Sequence, residues 1–103
     1  MFLEANMFVE IAHLDIKAGE ESQFEKQVSK AVPYFLAAKG CHGVSLHRCV
    51  EKPNQYQLYV KWETVENHMV DFRESTGFQQ WRALVGSHFA SPPWVEHTHE
   101  IKL

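Results

Sequence analysis

The spacing of the hydrophobic residues changes several times along this chain, and the changes fix the order of its secondary structure. Residues 7–16 alternate as in a β-strand and carry apolar side chains on both faces, whereas residues 17–40 place them at helical steps of three and four. Gly40 suits a left-handed helix end. Residues 42–62 are predicted to form two antiparallel strands joined by a turn at 52–54.

The second half of the chain continues this pattern. Thr64 is a candidate helix N-cap with Asn67 at the third position, and apolar residues follow at helical spacing. A further helical segment covers 78–85, and residues 94–102 alternate as a last strand. The order β-α-β-β-α-β predicts a ferredoxin-like α+β fold, with two helices on one face of a four-stranded antiparallel sheet. We predict one domain over 7–102, after a short N-terminal extension at residues 1–6.

The uncovered face of that sheet carries more apolar surface than a solvent-facing surface usually does. Val9, Ile11 and Tyr59 are predicted to point away from the helices. Two sheets packed face to face would bury these side chains, so we expect a homodimer.

Composition narrows the possible partners and the compartment. Ten basic and thirteen acidic residues among 103 give a net charge of −3 with neutral His, and no basic stripe is present. Binding to nucleic acid or to a membrane is therefore not expected. The first residues do not resemble a signal peptide, which favours the cytoplasm. Cys41 and Cys49 form no CxxC motif and are expected to be free thiols.

Large rings are concentrated between residues 59 and 81. Four of them are candidates to contact a flat, apolar ligand, although each would also serve as ordinary core: Trp62, Phe72, Phe78 and Trp81. Trp62 and Phe72 are interpreted as pocket walls, and Trp81 is more typical of core. Four rings at one end of a small sheet exceed what its core needs, which favours a pocket.

The segment PNQYQLYVKWET, followed by a helix and by FQQW, resembles the antibiotic biosynthesis monooxygenase domain family, and the similarity extends over 8–101. Members of that family are small dimeric α+β barrels. They include cofactor-independent oxygenases of quinols and polyketide anthrones, haem-degrading enzymes and an isomerase. The resemblance implies oxygenation of a small aromatic or quinol-type substrate in an apolar pocket, with molecular oxygen as co-substrate and no cofactor. The alternatives are a non-catalytic module that binds a small ligand, and an isomerase that uses the same pocket.

The chain departs from the family pattern at several positions. Val60 stands where many members carry Glu, and Ala12 and Arg82 stand at the places that haem degraders give to Asn and His, which disfavours haem degradation. Trp62 is the best-matched ring, since it resembles the pocket Trp of the anthrone oxygenases.

Two histidines are candidates for the general base that such an oxygenation needs. His68 and His47 have the right side chain, because imidazole exchanges protons near neutral pH. His68 is expected to lie beside the apolar stripe of its helix, on the solvent side or half-buried. Arg73, which is also a candidate to bind substrate, or Arg48 would stabilise a developing enolate.

A second pair of histidines raises the question of metal binding. His97 and His99 would share one face of the last strand, about 6.5–7 Å apart by strand rise. No carboxylate or Cys completes a recognised spacing around them. No metal is predicted, and burial in an interface is the preferred interpretation of this pair.

Overall fold

The computed structural model describes residues 7–103, so the extension predicted at residues 1–6 lies outside the described residues. Four strands and two α-helices follow in the predicted order. The strands are β1 (Phe8–Asp15), β2 (Cys41–Arg48), β3 (Gln55–Trp62) and β4 (Trp94–Thr98). The helices are α1 (Glu21–Leu36) and α2 (Thr76–Val85), with a π-helical turn at Asn67–Phe72 and a 3-10 turn at Gly86–His88. All neighbouring strands are antiparallel in the order β2-β3-β1-β4, which confirms the ferredoxin-like prediction.

Helix α1 covers the sheet through the apolar stripe that its sequence predicted. Phe24, Val28, Ala31 and Phe35 are buried, and the helix continues through Pro33. It ends at Leu36, four residues before the glycine expected to end it. Gly40 does adopt a left-handed conformation, with φ of 78°. A Cβ there would lie 2.1 Å from Asn67 Oδ1, so glycine is required by close packing as well as by φ.

The two faces of the sheet differ in their surroundings. The covered face carries Ala12, Leu14, Leu58 and Val60, which are all buried beneath the helices. We call the other side the open face; Val9, Ile11 and Tyr59 lie on it and remain only half-buried in the single chain. The prediction that these three side chains point away from the helices is confirmed.

Two local predictions were wrong. Strand β4 ends at Thr98 instead of extending to residue 102, so His99 is not a strand residue, and its ring instead meets the edge of Phe8 with centroids 6.2 Å apart. The segment after Thr64 forms a π-turn where an α-helix was expected. Within that turn Met69 is 37% exposed, while His68 is buried.

None of the helices within residues 7–103 is long and apolar enough to span a bilayer. In the same part of the chain, no three His, Cys, Asp or Glu side chains are grouped so that they could hold a metal ion. Cys41 and Cys49 are free.

Candidate active site

A cavity of about 520 Å³ lies between the covered face of the sheet and the helices. Aromatic side chains form much of its wall: Phe35, Phe72, Phe78, Trp81, Phe89 and Trp94. Its polar lining comes from Glu10, His68, Arg73 and Arg82. The volume is within the range of small-molecule sites, and this combination of many apolar walls with few polar groups is typical of them.

The expected rings do not all meet this cavity. Phe72, Phe78 and Trp81 line it, and Phe72 contacts Phe78 edge-on with centroids 5.7 Å apart. Trp62 is fully buried and is not among the lining residues. It lies behind Phe72 and His68, with its ring centroid 5.5 Å from each. Trp62 therefore supports the wall from the core instead of forming its surface.

The two candidate bases are on opposite sides of the sheet. His47 lies on the open face, against the ring of Tyr59 and beside a shallow hollow of about 660 Å³. His68 lines the cavity and is only 3% exposed, so the expectation of a solvent-side His68 was wrong. His68 and Phe72 lie four residues apart on the π-turn, and both are buried. Turns of this kind occur frequently at functional sites.

Hydrogen bonds at the start of the π-turn fix the position of His68. The Thr64 backbone N–H donates to Asn67 Oδ1 at 3.1 Å, and the Asn67 N–H donates to Thr64 Oγ1 at 3.0 Å. Such a reciprocal pair is a capping box, and it was predicted from Thr64 at the N-cap and Asn67 at the third position. At the other end of the turn, the Arg73 N–H donates to the His68 carbonyl at 3.2 Å, five residues back. The imidazole of His68 then stacks on Trp62 with the ring planes 15° apart.

The sequence interpretation missed Glu10, which carries the acidic group of this site. Its carboxylate is buried in the covered face of β1, where Trp62 Nε1–H donates to Oε1 at 2.9 Å. His68 Nε2 lies 3.3 Å from the same oxygen. A signal was present in the sequence, because Glu10 occupies an inward position of a strand whose inward neighbours, Ala12 and Leu14, are apolar.

Burial raises the pKa of Glu10 and lowers the pKa of His68, so that the order of the two values is reversed. Desolvation raises the pKa of Glu10 to about 7, although the Trp62 hydrogen bond and the charge of Arg73 act in the opposite direction. Desolvation lowers the pKa of His68 to about 4, and His97 and Arg73 add to that effect. At neutral pH His68 is therefore uncharged, and its contact with Glu10 is not an ion pair. Of these two groups, the carboxyl of Glu10 is the one whose pKa lies near neutrality.

His97 completes the polar cluster from the edge of the sheet. Glu10 pairs in register with His97 on β4, so both side chains lie on the covered face. His68 Nδ1 is 2.8 Å from His97 Nε2. Burial, with a smaller effect from Arg73, lowers the pKa of His97. The sequence predicted that His97 and His99 would share one face of the last strand, but in the structure the ring of His97 contacts the ring of His68.

Comparison with known proteins identifies the family. Residues 7–84 match the family model for antibiotic biosynthesis monooxygenase. This chain belongs to that family.

Similar proteins match over nearly the whole length of the chain. The crystal structure of "Putative antibiotic biosynthesis monooxygenase" from Bordetella bronchiseptica is 52% identical, with a TM-score of 0.93 over 94% of this chain and 99% of that one. YczJ, an uncharacterised protein of Bacillus subtilis, is 39% identical over 92% of this chain and 100% of its own length. A protein of the same name as the first, from Nitrosomonas europaea, is 16% identical with a TM-score of 0.82 over 98% of this chain and 96% of that one. This last likeness shows the fold alone.

Proposed function

We propose that this protein is a cofactor-independent monooxygenase that oxidises a small aromatic or quinol-type molecule with molecular oxygen. Membership of a monooxygenase family supports the reaction class. The observation that carries the proposal is a buried carboxyl group with a pKa near 7, Glu10, in the wall of an aromatic-lined cavity. A base with a pKa near the working pH combines a populated basic form with enough strength to take a phenolic proton.

The proposed substrate lies flat against the aromatic walls. Phe72, Phe78 and Trp81 offer faces and edges for a fused or substituted ring. Arg73 also lines the cavity, and its charge already acts on Glu10. In the proposal Arg73 stabilises the negative charge that develops on the substrate oxygen.

The proposed reaction begins with proton transfer from the phenolic O–H of the substrate to the Glu10 carboxylate. The resulting carbanion passes one electron to O₂, and the two radicals combine to form a C–O bond. The bound peroxide takes up a proton. Its O–O bond then breaks as the adjacent C–H proton is lost, giving a C=O group and water. The substrate carbon loses four electrons and O₂ gains four, so no further reductant or cofactor is needed.

Oxygen uptake tests this proposal directly. Wild-type protein is assayed with a panel of quinols and anthrones, next to Glu10→Gln. Glu96→Gln is the matched control, since it removes an exposed carboxylate from the open face of the same sheet. Uptake that is lost in Glu10→Gln and kept in Glu96→Gln supports the proposal. Tight binding of an aromatic with no uptake would instead indicate a binding module, and product formed without oxygen consumption would indicate an isomerase.

We also propose that a second copy of residues 7–102 covers the open face. Val9, Ile11 and Tyr59 remain half-buried there, and a partner sheet would remove them from water. Ile11→Arg places a charge at the centre of that face, so we expect sedimentation to show a monomer. Val50→Arg is the control, because Val50 is 86% exposed and lies outside the strands. An Ile11→Arg protein with the mass of the wild type would argue against this dimer.

The cytosol is the proposed location. Two free cysteines, Cys41 and Cys49, are typical of a reducing compartment.

A further inference from the structure

The polar cluster in the cavity wall continues to the edge of the sheet. His68 Nε2 lies 3.3 Å from Glu10 Oε1, and the other nitrogen of the same ring, Nδ1, lies 2.8 Å from His97 Nε2. Glu10 and His68 are buried, whereas His97 is half-buried on β4, an edge strand. One end of this row of side chains is therefore inside the cavity wall, and the other end is close to solvent.

We propose that Glu10, His68 and His97 form a proton-transfer chain that connects the cavity with solvent. His97 is its outer member and acts through His68. The inference rests on the proposed function for its use in turnover, since oxygenation must first remove a proton from the cavity and later return one. The contacts among the three side chains are already present in the protein without substrate.

The arrangement of nitrogens allows transfer in both directions while both imidazole rings stay neutral. Before turnover, His68 Nδ1–H donates to His97 Nε2, and His68 Nε2 is bare towards Glu10. When Glu10 has taken the substrate proton, it passes that proton to His68 Nε2. The Nδ1 proton of His68 moves to His97 Nε2, and His97 releases its own Nδ1 proton to water.

The second half of the reaction resets these tautomers. The bound peroxide needs a proton, which His68 Nε2–H supplies through Glu10. His97 Nε2–H then refills His68 Nδ1, and water refills His97 Nδ1. Each cycle moves one proton out and one in, and all three side chains return to their starting forms.

The charges around these three side chains favour the neutral histidines that a proton relay needs. Arg73 faces Glu10, His68 and His97, and its positive charge opposes protonation of both rings. Cys41 on β2 also senses Glu10, whose charge adds to the effect of burial in raising the pKa of that thiol. Because each neutral ring keeps one N–H and one bare nitrogen, a proton that enters at Glu10 can displace one that leaves at His97.

The hydrogen exchange of the His68 ring tests the relay without any substrate. We measure by ¹⁵N-resolved NMR how fast the His68 Nδ1 proton exchanges with water, in wild type and in His97→Gln. Gln keeps a polar partner for His68 but cannot take up and release a ring proton. We expect exchange to slow by about tenfold or more, a modest part of the 10²–10⁴-fold that positioned proton transfer contributes to catalysis. His99→Gln is the control, because His99 is exposed and lies beyond the end of β4.

Two further measurements separate a relay from a structural role. Free imidazole should restore fast exchange to His97→Ala, because it supplies the missing proton carrier, whereas a packing defect would not respond to it. In wild-type protein, a scalar coupling across the hydrogen bond should link His68 Nδ1 to His97 Nε2. Unchanged exchange in His97→Gln would overturn the relay. Absence of the scalar coupling in the wild type would also overturn it, and that measurement does not depend on the folding of any variant.

The same experiments distinguish this inference from the proposed function. If no quinol or anthrone supports oxygen uptake but exchange depends on His97, the oxygenase proposal fails and the relay stands. If the wild type consumes oxygen while His97→Gln exchanges and turns over at the same rate, the relay fails and the oxygenase proposal stands.

Discussion

Strand β1 takes part in two His–Glu pairs, one on each face of the sheet. On the covered face, Glu10 lies 3.3 Å from His68, and their side chains are 5% and 3% exposed. On the open face, His13 lies 2.7 Å from Glu96, with side chains 24% and 47% exposed. The exposed pair has the shorter distance. Burial, and not separation, decides which pair has unusual chemistry, because water screens the exposed charges and stabilises each of them separately.

The buried pair shows what removal from water does to a carboxyl group and an imidazole together. Each group prefers its neutral form, so Glu10 holds its proton up to about pH 7 and His68 stays unprotonated down to about pH 4. Two titratable groups whose environments displace their pKa values in opposite directions are a common mark of acid–base sites. The comparison therefore favours the covered face as the location of the proposed proton transfer.

The largest expected effect is on turnover in Glu10→Gln. The amide keeps an oxygen for Trp62 Nε1–H but cannot accept a substrate proton, so kcat should fall by about 10²–10⁴-fold. In the wild type the rate should rise with pH through about pH 7, as Glu10 becomes ionised, and then level off. Steady-state oxygen uptake between pH 5 and 9 measures both effects. A Glu10→Gln variant with the wild-type rate and pH profile would remove Glu10 from the mechanism.

The next effect contrasts a buried indole with an exposed one. Trp62→Ala removes a fully buried ring and the hydrogen bond to Glu10, and should lower the free energy of unfolding by about 3–5 kcal/mol. Trp94 is 58% exposed and stacks on His13 with centroids 3.8 Å apart, so Trp94→Ala should cost below about 1 kcal/mol. Urea unfolding of both variants gives the two values. Similar losses would mean that Trp94 is as well packed as a core residue.

The sequence predicted the fold because the fold depends on local patterns. Alternation in β1 and β3, the stripe of α1 and the Thr64–Asn67 box each act through neighbours in the chain, and each was found where the residues placed it. The end of β4 was missed, because alternation continues at residues 99–102 although no strand within residues 7–103 pairs with them. Side-chain pattern alone does not show where pairing stops.

The site was predictable only in part, because it depends on contacts between distant segments. Glu10, His68 and His97 lie on β1, the π-turn and β4, and no spacing in the chain relates them. The sequence drew attention to His68 and to Phe72, Phe78 and Trp81 by residue type. It placed Trp62 on the pocket surface, whereas the register of β3 puts that ring into the core behind His68. The π-turn gave no signal, since its apolar residues also fit an α-helix.

A third prediction concerns the pH dependence of stability, where the members of the buried pair oppose each other. Because folding raises the pKa of Glu10 from 4.5 to about 7, stability falls by about 3 kcal/mol as pH rises through that interval. Because folding lowers the pKa of His68 from 6.5 to about 4, stability falls by a similar amount as pH drops through that window. In the wild type the two slopes largely cancel.

Single substitutions separate the two slopes. Glu10→Gln should become more stable as pH rises from 4 to 6.5, because only the His68 contribution is left. His68→Gln should become less stable as pH rises from 4.5 to 7, because the Glu10 contribution is left alone. Chemical unfolding of each variant at half-unit pH steps measures these slopes. Two flat profiles would show that the buried pair is hydrated in solution, and the contrast between the faces would lose its basis.

The smallest expected effect belongs to the exposed pair and sets the lower limit of the comparison. A double-mutant cycle with His13→Gln and Glu96→Gln should give a coupling free energy of about 0.2–1 kcal/mol, because both side chains are partly in water. The coupling should weaken further in 1 M salt, where screening acts over about 3 Å. Urea unfolding of the wild type, the two single variants and the double variant measures it. A coupling of several kcal/mol would mean that the partner sheet of the proposed dimer extends over this pair and removes it from water.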